Sequence, residues 1–73
     1  MANIIIVLSE DKNEWRCFYS TEDEELMAWQ QLISRSDSVK ILQEDEDNLP
    51  ILALVDEVQY AIEFLYLDES GYI

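Results

Sequence analysis

Residues 41–73 carry nine carboxylates and not one lysine or arginine, and four of those acids stand side by side as Glu44, Asp45, Glu46 and Asp47. Adjacent like charges repel one another and cannot enter a core, so any fold must hold this block at its surface and bury the intervening apolar residues behind it. The four basic residues, Lys12, Arg16, Arg35 and Lys40, all precede it. Acid of this density in so short a chain implies a cationic partner.

Seventy-three residues allow one domain, residues 1–73, in a size range where one small core leaves folding marginal and dimerisation helps. The formal charge is −13, yet 49% of the residues are hydrophobic, too many for a charge-driven disordered tail. The chain is expected to fold. Its single cysteine, Cys17, has no partner for an intrachain disulfide, and the absence of histidine removes the usual imidazole base and ligand. A reducing, cytoplasmic setting is expected. The run Ile4, Ile5, Ile6, Val7, Leu8 has no basic leader and is far shorter than the roughly 20 residues that span a bilayer, so it reads as a strand. Anionic lipid would repel the chain, so no membrane role is expected.

Residues 3–8, rich in β-branched side chains, have the pattern of a strand covered on both faces, placed centrally in a sheet. Residues 14–20 alternate Trp15, Cys17 and Tyr19 against Glu14, Arg16 and Phe18. They are expected to complete a hairpin with Arg16 on the outer face and Cys17 buried. Thr21 followed by Glu24 has the spacing of a capping box, which predicts a helix from there to about Arg35 with Leu26, Trp29 and Ile33, flanked by Ala28 and Leu32, as its apolar stripe. A third strand is expected over residues 39–43, with Val39 and Ile41 on one face.

The last third has two readings. In the preferred one, Asn48 caps a second helix, Pro50 sits in its first turn, and Ile51, Leu54, Val55, Val58, Ala61, Ile62 and Leu65 share one face. In the other, residues 51–55 form a fourth strand paired with the third across the acid turn, and residues 65–72 make a tight hairpin around Gly71. The expected fold is thus a small α+β domain, β-β-α-β-α with a short sheet packed by helices, or alternatively β-β-α-β-β.

No residue set reads as catalytic, because nothing in the pattern places one acid in a different environment from its neighbours. No metal site is expected at residues 44–47 either, since a calcium loop spaces its oxygens around a glycine and the one glycine here is Gly71. No cofactor is implied. The charge itself is the functional signal: Glu22, Asp23, Glu24 and Glu25 form one candidate partner-binding patch, Glu44 to Asp47 a second, and Asp56, Glu57, Glu63, Asp68 and Glu69 a third. Acids four apart on a helix rise about 6 Å and phosphates of one DNA strand about 3.4 Å per nucleotide, so acid rows approximate a phosphate backbone. They would compete for Lys and Arg grooves built for nucleic acid, without binding nucleic acid directly. On the proposed last helix Tyr60, Phe64 and Leu67 fall off the main stripe and suggest a homodimer seam, or the anchor of an acidic adaptor or antidote that works without mimicry.

In size, charge and mixed α/β pattern the chain resembles the small acidic DNA-mimic inhibitors of bacteriophages, which include anti-restriction proteins, anti-CRISPR proteins, an inhibitor of uracil-DNA glycosylase and an inhibitor of the bacterial histone-like protein HU. The likeness is compositional and the class has no common fold, so it implies function without architecture. It implies a non-enzymatic protein in the bacterial host cytoplasm. Its partner would be a basic nucleic-acid-binding protein such as an HU-like protein, a nuclease, a CRISPR complex or a polymerase.

Overall fold

The computed structural model describes residues 3–11 and 14–67, with the backbone alone at Asp11. In chain order the elements are β1 (Ile4–Asp11), β2 (Glu14–Ser20), α1 (Glu25–Ser34), β3 (Val39–Glu44), β4 (Pro50–Val55) and β5 (Val58–Tyr66). The five strands form one sheet in the order β2-β1-β5-β4-β3, antiparallel at every pairing. Where a second helix was expected there are two strands, so the β-β-α-β-α reading is wrong. Residues 51–55 do pair with β3, but β5 is a further strand that the β-β-α-β-β alternative also lacked. The hairpin expected over residues 65–72 lies mostly outside the described residues, and its first two positions, Leu65 and Tyr66, belong to β5.

The reason is a period misread in a segment so apolar that both periods fit it. In β5, Val58, Tyr60, Ile62 and Phe64 turn one way while Gln59, Ala61, Glu63 and Leu65 turn the other, the two-residue alternation of a half-covered strand. A helix here would also have left one edge of β1 unpaired, whereas Ile4 through Ser9 find register partners from Tyr66 to Ala61. The turn between β4 and β5 is Asp56-Glu57, with φ of 52° and 71°. Both central residues at positive φ make the tight hairpin turn that suits strand twist, here built without the usual asparagine or glycine.

One face of the sheet carries the core. Ile4, Ile6 and Leu8 of β1 meet Ala53 and Val55 of β4, Tyr60 and Ile62 of β5, and Ala28, Trp29 and Leu32 of α1. Helix α1 packs on β1 and β2. Its buried stripe is Ala28, Trp29 and Leu32, and Leu26, expected inside, is exposed. The Trp29 indole N–H is buried and meets no acceptor among the described residues.

The helix also starts later than the capping box predicts: its N-cap is Glu24, and no side chain caps it. Buried Ser20 takes over the local hydrogen bonding. Its hydroxyl accepts from the Glu22 N–H (3.0 Å) and donates to Gln31 Oε1 (2.7 Å), which also accepts from the Thr21 N–H (3.3 Å). A serine turn thus competes with the first helical turn, and the Gln31 side chain straps the connection to the helix. No helix among the described residues is long and apolar enough to cross a membrane.

Candidate partner-binding surfaces

The strand registers collect the acids at one end of the molecule. Ile4 pairs with both Ser20 and Tyr66, and Glu44 pairs with Pro50, so β1 and β4 begin where β2, β3 and β5 finish. The chain leaves β2 at that end through Glu22, Asp23, Glu24 and Glu25, and the β3–β4 hairpin turns there through Glu44, Asp45, Glu46 and Asp47. Glu24, Glu25 and Leu26 share one shallow hollow with Asp47 and Leu49. Two of the three expected patches therefore form a single acid pole of eight carboxylates, and these two segments hold no lysine or arginine. The described cations lie away from it: Arg16 and Arg35 border a hollow with Val55 and Asp56, and Lys40 pairs with Leu54.

Not every acid of the pole is free to face a partner. One oxygen of Asp45 accepts from the N–H groups of Asp47 (2.9 Å) and Leu49 (3.0 Å), while the Asn48 N–H reaches the Asp45 carbonyl (3.0 Å). Asn48, at φ 64°, supplies the left-handed residue of this turn instead of capping a helix. Asp23 accepts from the Asn3 amide at 2.8 Å and ties the connection to β1. The helical acid rows expected from spacing do not exist, because all but Glu25 of these eight residues lie outside α1. Of the remaining six, Glu24, Glu44, Glu46 and Asp47 are exposed, and Glu22 and Glu25 are half-buried.

The third patch is dispersed. Asp56 and Glu57 turn at the opposite end, where one Asp56 oxygen accepts from the N–H groups of Asp37 (2.7 Å) and Ser38 (3.1 Å) and joins two loops. Glu63 stands on the sheet between the two ends, opposite Val7. Asp68 and Glu69 lie outside the described residues.

The expected dimer seam is not an exposed seam either. Tyr60 is 4% exposed within the core, and its hydroxyl accepts from an Arg16 N–H at 3.0 Å while the guanidinium stands 5.8 Å from the ring centroid. Arg16 therefore faces the helix side rather than outward, and its pKa is raised, first by the Tyr60 hydrogen bond and further by Asp56 and Glu10. Phe64 packs against the core, and Leu67 is half-buried with its N–H on the Asn3 carbonyl (3.0 Å).

A different apolar surface takes the place of that seam. Paired residues of an antiparallel ladder share a face, so Ile5, Val7 and Ser9 stand with Tyr19, Cys17 and Trp15 on one side and with Leu65, Glu63 and Ala61 on the other. Leu52 continues the row of Ala61, and Leu54 pairs with Gln59. No described element packs on this side. Trp15 is 72% exposed, Tyr19 63% and Leu65 44%, and Cys17, expected inside, is exposed. The alternation in β2 marks a two-faced strand, and its more apolar side is the open one rather than the inner one expected. Comparison with protein-family models, curated proteins and solved structures finds no match, so the surfaces are read from their own chemistry.

Proposed function

We propose that the protein is a non-enzymatic inhibitor of the DNA-mimic kind, which sets its acid pole into the basic groove of a nucleic-acid-binding protein. One observation supports this above the rest: two segments some twenty residues apart in sequence bring eight carboxylates to one end, while the described cations sit elsewhere. A surface polarised in this way attracts cationic grooves over long range and repels nucleic acid and anionic lipid. Affinity for the partner comes from many individually weak, screened ion pairs.

The test is capture of a basic protein from a bacterial lysate by the immobilised chain, with release on a salt gradient, followed by competition against that protein's own duplex DNA. Wild type displaces the DNA. A variant with Glu24→Gln, Glu44→Gln, Glu46→Gln and Asp47→Asn, which spares the turn-forming Asp45, stays folded by circular dichroism and loses most of its potency. Full potency of that variant would overturn the reading. If potency falls instead on Trp15→Ala, the apolar adaptor replaces the mimic.

A further inference from the structure

We propose that the open face of the sheet is a homodimer interface, two copies stacking sheet on sheet into a sandwich. The inference does not rest on the acid pole having a partner. With neighbouring strands about 4.8 Å apart and about 3.3 Å of rise per residue, five strands of this length cover roughly 500 Å² in projection. A standard interface takes roughly 800 Å² of accessible surface per partner, so a stable dimer would use the whole face. Ser9, Gln59, Glu63 and Lys40 share this face, yet the run of apolar side chains between them is more than single surface hydrophobes account for. Aligned sheet packing at about 10 Å joins two such faces.

Charge decides which occupant fits. In the ladder rows of this face the charged side chains are Glu63 and Lys40, with Glu44 beside Pro50 at the irregular end of β3, a small share of the charge of a chain at −13. A cationic protein of the kind that suits the pole finds far fewer acids here than the eight gathered there. A second copy stacked on this face, by contrast, meets few like charges and leaves both acid poles at the ends. Trp15 and Leu65 supply the aromatic and aliphatic anchors that dominate interface energetics.

The two surfaces respond to salt in opposite senses. Screening relieves repulsion between two anionic chains, so salt strengthens the dimer, while it weakens any complex made through the pole. Sedimentation of the full chain across a dilution series should give twice the chain mass at high salt, with dissociation at low salt on dilution. On association the emission of exposed Trp15 shifts to the blue and Cys17 becomes slow to react with a maleimide, whereas buried Trp29 changes neither reading. Trp15→Glu should raise the dimer dissociation constant by about tenfold or more, the effect of losing an interface anchor. Circular dichroism and the unchanged Trp29 emission show whether that variant is folded. A chain monomeric at every concentration in high salt overturns the proposal. So does a dimer in which Trp15 emission and Cys17 reactivity stay those of the monomer, which would place the contact at a strand edge, and this second result needs no variant to fold.

Discussion

The two faces of the sheet are built from the same strands and are both rich in apolar side chains, yet one is a core and the other a surface. Ile6 and Val7 are neighbours in β1 and nearly equal in hydrophobicity. Ile6 is fully buried under α1, and Val7 is only half-buried on the open side. The difference lies in where the helix was laid down, a decision taken by the Ser20–Gln31 strap and by Ala28, Trp29 and Leu32 meeting β1 and β2. Apolar alternation thus marks a strand as two-faced without saying which face is inside.

Replacing these neighbours one at a time is the sharpest way to break the comparison. Ile6→Ala should cost about 2–5 kcal/mol, the range for large-to-small changes in a packed core. Val7→Ala should cost under about 1 kcal/mol in the monomer, where water already reaches the side chain. Chemical denaturation at low salt, where self-association is weakest, measures both; equal losses would mean that the open face is covered within the monomer.

If the strap is what commits the helix to its face, Gln31→Ala should cost about 1–2 kcal/mol, because buried Ser20 then loses its acceptor. The β4–β5 turn sharpens the same contrast from the side of register, since a one-residue slip there would exchange the two faces of β5. Glu57→Gly removes a side chain from a φ of 71° and should stabilise by about 0.5–1 kcal/mol, seen as a higher Tm. The smallest effect belongs to Thr21→Ala. A true N-cap would cost about 0.5–2 kcal/mol on truncation, but Thr21 lies outside the cap and contributes a side-chain contact of 3.4 Å with Gln31, so the expected loss is below about 0.5 kcal/mol. A loss in the full capping range would restore the earlier helix start.

The acid pole and the open face differ in how legible they were. Glu22 to Glu25 and Glu44 to Asp47 are runs of adjacent like charge, and such runs are exposed in nearly any fold, so the sequence was enough to nominate them. Their meeting at one end depends on the pairings of Ile4 with Ser20 and of Glu44 with Pro50, which are contacts across the sheet and leave no local trace. The dispersal of Asp56, Glu57 and Glu63 has the same origin. Asp56 shows a further limit of composition: its carboxylate reads as surface charge, yet it accepts two backbone N–H groups and joins two loops.

The sequence by itself determined the local elements whose signals stand alone: β1 from its β-branched run, β2 with the bounds Glu14–Ser20, the presence of α1, β3, and an acid surface too dense to bury. Tertiary structure alone decided the last third, where a nearly continuous apolar stretch satisfies the helical and the strand period equally. The unpaired edge of β1 settled that choice, because its backbone N–H and C=O groups needed partners and β5 could supply them only as an extended strand. Tertiary structure also decided which side of β2 is inside, since a single helix covers only one face of a sheet and the side it leaves bare can be just as apolar.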